Sequence, residues 1–166
     1  MVSEELIRQL FRTQDQAVIR RLSEISETVL YKKRQEIHKV GETYTHFYML
    51  LRGAVYTYFY DEHQHPVVMC FFSEKNDFMH VENFNKQSTV GMTALTETEV
   101  FQIPIKEMLQ LSDEIPTLIW EYAGYLQKTM MYLCVINNRR MNLTAEERYQ
   151  WFCEKWPEVE ASASNK

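Results

Sequence analysis

Residues 113–141 read Asp-Glu-Ile-Pro-Thr-Leu-Ile-Trp-Glu-Tyr-Ala-Gly-Tyr-Leu-Gln-Lys-Thr-Met-Met-Tyr-Leu-Cys-Val-Ile-Asn-Asn-Arg-Arg-Met, and this stretch decides the fold. Ile115, Ile119, Tyr122, Leu126, Thr129, Leu133 and Ile136 advance by alternating fours and threes. That spacing is close to the 3.5-residue repeat of a two-stranded helical seam. Pro116 fits only in a first helical turn, so the helix should start there, with Ser112 or Asp113 as its cap. About 28 residues at about 1.5 Å each span roughly 42 Å, more than a small sheet domain can cover. A long apolar stripe left uncovered by its own domain pairs with a second copy. The expected interface is therefore Ile119, Tyr122, Leu126, Leu133 and Ile136 of a homodimer.

Upstream, over residues 29–103, the period shortens. Tyr56, Tyr58 and Tyr60 alternate with Val55, Thr57 and Phe59, as a two-faced strand requires. Gly53 separates this strand from one at 46–51 and suits a tight turn with positive φ. A polar connection at 61–66 leads to Val67-Val68-Met69-Cys70-Phe71-Phe72, apolar on both faces and expected to be a central strand. Short strands are expected near 92–95 and 100–103, then a short helix from Pro104 to Leu111. Between residues 73 and 90 the alternation breaks down. Such a long irregular stretch inside a compact sheet domain is more often functional than decorative. Residues 3–25 read as two helical pieces, with Leu6, Leu10 and Phe11 on one face and Thr13 with Gln16 as a capping box. Thr144 and Glu147 form a second capping box, for a helix carrying Tyr149, Trp151 and Phe152 and ending near Pro157.

The 166 residues suit one domain with an appended element, and 45% hydrophobic content supports a sizeable core. A formal net charge of −5 gives no global basic field for nucleic acid. No apolar run reaches membrane-spanning length, and the acidic start at residues 1–5 is unlike a signal peptide. Cys70, Cys134 and Cys153 are widely spaced and read as reduced, mostly buried thiols of a cytoplasmic protein.

Catalytic signatures are missing. With glycine only at 41, 53, 91 and 124, there is no phosphate loop, and no Gly-x-Ser-x-Gly or His-Glu-x-x-His occurs. His63-Gln64-His65 is the nearest thing to a metal motif, but Pro66-Val67-Val68-Met69 supplies no following carboxylate. The carboxylates Glu42, Asp61, Glu62, Glu74, Asp77 and Glu82 are scattered and form no evident acid/base pair. No metal, no cofactor and no enzymatic activity are expected; the enzyme alternative would be of cupin type.

Gly41-Glu42, Leu50-Leu51-Arg52-Gly53-Ala54-Val55, the irregular stretch, Ala94-Leu95-Thr96-Glu97-Thr98-Glu99-Val100 and the long helix occur in an order that resembles the Crp/Fnr family of bacterial transcription regulators. Leu143-Thr144-Ala145-Glu146-Glu147-Arg148-Tyr149 and Trp156-Pro157-Glu158 extend the resemblance to roughly residues 15–160. It implies an α+β fold: an antiparallel β-barrel of jelly-roll type flanked by N-terminal helices and followed by a dimerisation helix. Residues 1–111 would be the cyclic-nucleotide-binding-like effector domain and 112–142 the dimerisation helix. Residues 143–166 would begin a C-terminal DNA-binding region.

Two departures shape the functional expectation. In members that bind cyclic AMP the irregular stretch carries a Gly-Glu pair and an Arg. Here His80-Val81 stand at the pair and Ser88-Thr89 at the Arg. A buried phosphate without a cation or preorganised amides is poorly compensated, so the ligand is not expected to be a cyclic nucleotide. The pocket candidates are Phe71, Phe78, His80, Glu82, Asn83, Ser88, Thr89 and Val90. His80 is an imidazole whose charge could stand in for the missing cation. The second departure is that the family's helix-turn-helix should follow Trp156-Pro157-Glu158, so promoter DNA would be bound only through a C-terminal region absent here. The expected partners are a second copy and an unidentified small-molecule effector, with no membrane. A stand-alone interaction domain with a closed pocket is the alternative.

Overall fold

The computed structural model describes residues 1–79 and 86–164. Helices α1 (Glu4–Phe11) and α2 (Gln16–Ile25) precede strands β1 (Glu27–Tyr31), β2 (Glu36–His38), β3 (His46–Arg52), β4 (Val55–Tyr60) and β5 (Pro66–Phe72). After the segment 73–90 come β6 (Gly91–Ala94), β7 (Thr98–Pro104) and helices α3 (Ile105–Glu114), α4 (Thr117–Asn142), α5 (Ala145–Lys155) and α6 (Pro157–Ser164). None of these helices is long and apolar enough to cross a membrane.

Local chemistry sets the helix ends. Ser3 caps α1 by accepting from the Leu6 amide at 3.3 Å. The cap of α2 is Asp15, which accepts from Ala17 and Val18, in place of the expected Thr13–Gln16 box. A carboxylate at that position takes two amides at once and displaces the weaker hydroxyl. The box at Thr144 and Glu147 forms as read, with bonds of 3.3 and 2.8 Å. Neither Ser112 nor Asp113 caps the long helix: Ser112 donates to the Met108 carbonyl inside α3, and α4 begins behind Pro116 with no side-chain cap.

The strands form two antiparallel sheets, β1-β7-β3 and β2-β6-β4-β5. The expected closed barrel is not formed among the described residues. The free edge of β3 is taken by the irregular segment, through Asn76 N to Leu50 O at 2.7 Å, Leu50 N to Asp77 O at 2.9 Å and Met79 N to Tyr48 O at 3.0 Å. An edge so occupied has no groups left for a strand of the other sheet. Phe47, Met49, Phe101 and Ile103 face the helices, where Phe47 meets Tyr122 at 5.1 Å and Phe101 meets Phe11 at 6.1 Å. Tyr48, Leu50, Val100 and Gln102 take the opposite face, toward the second sheet. Val55, Thr57, Met92 and Ala94 are fully buried on that sheet's inner face.

β5 is an edge strand, a correction to its reading as a central one. Val67 and Val68 stay partly exposed. The second apolar face is needed further along, where Phe71 packs on Phe152 and Trp156. The edge is protected by side chains of α4: Arg140 donates to the Val68 and Met69 carbonyls and the Tyr132 hydroxyl to that of Phe71. The three cysteines are free; only Cys70 is buried, so the expectation of mostly buried thiols fails for Cys134 and Cys153.

Gly53 has φ +97°, and a Cβ there would lie 2.5 Å from the Glu97 carbonyl oxygen. Gly124 sits in α4 with open space around it. Gly53→Ala is expected to lower unfolding free energy by about 2 kcal/mol or more. Gly124→Ala should raise it by about 0.5–1 kcal/mol. Urea titrations of the two variants check the opposite signs.

Candidate functional site

Between β5 and β6 the described residues 73–79 and 86–90, called the strap below, are tied to the sheets at both ends. Its first turn is closed by Asp77, whose amide donates to Glu74 O and whose carboxylate accepts from Glu74 N, both at 3.0 Å. Asn76 takes the left-handed conformation, φ 67°, that asparagine tolerates. The far end is held by Tyr44 N to Lys86 O at 3.1 Å, Ser88 N to Glu42 O at 2.8 Å and Gly41 N to Ser88 O at 2.7 Å. Gly41, at φ 86°, permits that close return.

The strap is tied on its other side to α4. Thr129, buried on the helix, donates its hydroxyl to the Phe78 carbonyl at 3.2 Å. Lys128 reaches the Asp77 carboxylate at 3.4 Å. The Phe78 ring lies 5.9 Å from Phe47, 5.9 Å from Tyr122 and 5.7 Å from Tyr125, so it joins sheet to helix. A cavity of about 50 Å³ remains among Phe72, Glu74, Asp77, Lys128, Tyr132 and Lys155. Burial pushes the Asp77 carboxyl above the usual range, while the hydrogen bond from Lys155 holds Glu74 below it. Any displacement of the strap must therefore move groups on both β3 and α4.

Among the described residues, Phe71, Phe78, Ser88, Thr89 and Val90 of the expected pocket do not share one cavity. Phe71 turns outward, with its ring 5.5 Å from Phe152 and 5.4 Å from Trp156. Phe78 faces the helices, where the adjoining apolar void is only about 20 Å³, room for a water at most. Ser88 and Val90 are buried, and the Ser88 hydroxyl closes a turn on itself, accepting from Val90 N and donating to Val90 O. Thr89 between them is exposed. His80, Glu82 and Asn83 lie outside the described residues. His63 and His65 belong to the β4–β5 hairpin tip, where the Asp61 carboxylate accepts from both their amides. Among the described residues no group of three or more His, Cys, Asp or Glu is placed to hold a metal.

Sequence reading missed the polar lining between the sheets. Tyr31 donates to Gln102, whose amide donates to Glu27 at 2.6 Å. Next to this chain, Tyr48 lies 5.8 Å from Tyr44, and Tyr44 lies 5.4 Å from His38. Tyr44 donates to the Met79 carbonyl, so the cluster touches the strap. His38 is 4% exposed, and its Nε2 has no hydrogen-bond partner among the described residues. Burial drives its pKa down, outweighing Glu42 at 3.8 Å, so the imidazole is kept neutral. The period-two alternation places Tyr48 and Gln102 on one face, but with aromatics on both faces of β3 it does not tell which faces inward.

Known proteins share this fold. A family profile for the cyclic nucleotide-binding domain matches residues 28–114. No curated protein sequence matches the chain. Among solved structures, the catabolite activator protein of Thermus thermophilus superposes with a TM-score of 0.61 at 13% identity, over 78% of this chain and 61% of that one. The c-di-GMP-responsive global regulator CLP of Xanthomonas campestris gives 0.61 at 18% identity, over 78% and 66%. The sensor domain of the regulator DNR from Pseudomonas aeruginosa gives 0.61 at 18%, over 76% and 92%. The chain thus spans less than two thirds of the first two regulators, and at such identities the likeness is one of fold. The profile match covers more than half of the sequence: the chain belongs to the cyclic nucleotide-binding domain family.

Proposed function

We propose that the chain is the effector-sensing and dimerisation module of a Crp/Fnr-like bacterial transcription regulator whose effector is a small molecule other than cyclic AMP. The observation that carries this reading is the strap, hydrogen-bonded to β3 on one side and to Thr129 of α4 on the other. A ligand that shifts the strap acts on the helix directly. Promoter contact, on this reading, falls to a helix-turn-helix in a longer chain. One structural relative is a c-di-GMP-responsive regulator, so the fold is compatible with ligands other than cyclic AMP.

Sequence argues against a cyclic monophosphate. Residues 73–90 contain neither glycine nor arginine, and their only lysines are Lys75 and Lys86. The Ser88 hydroxyl, which stands in the region of the missing arginine, is spent on Val90. Charge-assisted bonds are worth roughly 1.5–3 kcal/mol each, so losing the arginine and the glutamate costs about a hundredfold or more in affinity. Calorimetry with cyclic AMP and cyclic GMP should show no stoichiometric binding at micromolar concentrations. Stoichiometric micromolar binding of either would refute the exclusion.

The helix supports pairing with a second copy. Tyr122, Thr129 and Ile136 are covered by their own domain. Ile119 and Met130 are more than half exposed, with Leu126 and Leu133 half-buried beside them. Ile119, Ala123, Leu126, Met130, Leu133 and Asn137 keep the four–three spacing on the open face. A polar Asn137 in such a seam would fix a parallel register at some cost in stability. Leu126→Glu puts two charges into that seam. Sedimentation should find the native protein dimeric at tens of micromolar, approximate values for a seam of this size, and the variant monomeric; a native monomer would sink this part of the reading.

A further inference from the structure

We infer that a second ligand site, for a small amphipathic carboxylate, lies outside the two sheets, between β5, the C-terminal turns of α4, and α5. A cavity of about 230 Å³ opens there. Its apolar walls are Phe71, Trp151, Phe152 and Trp156, whose rings contact one another at centroid separations of 5.1–5.6 Å. Cys70 and Ile136 also line it, and Arg140 and Arg148 complete the lining. The two arginines are what separate this cleft from a packing flaw.

Neither guanidinium forms an ion pair with a carboxylate among the described residues, in a chain whose net charge is −5. Arg140 uses Nη2 on the Val68 and Met69 carbonyls, and Arg148 uses Nη1 on those of Arg140 and Leu143. A guanidinium offers five N–H donors in a planar fork. Anchoring one nitrogen of each to backbone fixes the fork and leaves donors for an anion, the arrangement that favours bidentate carboxylate recognition. Burial of one ring or short alkyl chain against four aromatics would supply the non-polar part of the affinity. The volume suits about a dozen non-hydrogen atoms, and ligands of that size bind with dissociation constants on the order of millimolar or tighter. The cleft touches neither the strap's bonds to β3 nor the polar lining between the sheets, so this inference stands apart from the reading of the strap. An occupant would bridge the end of α4 to α5 and fix the angle between them.

The test is a charge series on one skeleton: phenylbutyrate, phenylbutanol and phenylbutylamine. Tryptophan emission is read in a Trp120→Phe background, since Trp120 is exposed on α4 and the other two tryptophans wall the cleft. The carboxylate should give a saturable change, with the alcohol about tenfold or more weaker and the amine without effect. Arg140→Gln with Arg148→Gln should bring the carboxylate down to the alcohol's affinity while far-ultraviolet circular dichroism and the melting curve show a folded protein. Equal responses to all three compounds would mean apolar partition alone and overturn the proposal, as would no saturable response to phenylbutyrate. Should the double variant fold poorly, the charge series on the native arginines decides by itself.

Discussion

The structure depends on how the backbone carbonyls between Val68 and Phe78 are satisfied. β5 is a sheet edge and the strap that follows it is irregular, so both leave acceptors without strand partners. One face of α4 answers them in order: Thr129 donates to Phe78, Tyr132 to Phe71, and Arg140 to Met69 and Val68. Residues 129, 132, 136 and 140 share that face by helical spacing, and Ile136, which is not a donor, is buried among them. The Phe78 carbonyl is the buried one, and leaving it without a donor would cost about 1–3 kcal/mol. The helix is therefore held against the sheet by polar registration as well as by apolar contact.

That registration divides the helix between two roles. Its inner face is committed to the domain, carrying the donors together with Leu118, Tyr122, Tyr125 and Ile136. Its outer face keeps Ile119, Trp120, Met130, Met131 and Val135 in contact with solvent. Because each inner donor holds a fixed carbonyl, α4 cannot slide or rotate without breaking several bonds at once. On the proposed reading, a displaced strap would alter those bonds together rather than one by one. The aromatic cleft inferred above lies at the C-terminal end of the same helix.

Much of the fold could be read from sequence because the signals were local and periodic. The alternation at Tyr56, Tyr58 and Tyr60 marked β4, Gly53 marked the turn before it, and Thr144 with Glu147 marked the start of α5. The failures were long-range. Val67 to Phe72 looks central by composition, but its second covered face is supplied by α5, some eighty residues later. The helical stripe reads as one seam in sequence, and an amphipathic helix with apolar groups on two faces carries no mark of which face its own domain takes. The strap was legible as irregular and hence interesting. The pocket candidates follow from position on and beside it, and of these Phe71 and Phe78 serve helix contacts. The inner cluster of His38, Tyr44, Tyr48 and Gln102 comes from four separate segments, and only the sheet pairings bring it together.

Amide hydrogen exchange in a Thr129→Val variant measures the coupling of strap to helix most directly. Valine keeps the side-chain shape and removes the one hydroxyl bond to the Phe78 carbonyl. If strap and helix are one mechanical unit, exchange should speed up at the Asn76 and Met79 amides and at Leu50 on β3, as well as near residue 129. Exchange that changes only within the helical turn around residue 129, with the strap as protected as before, would contradict the account.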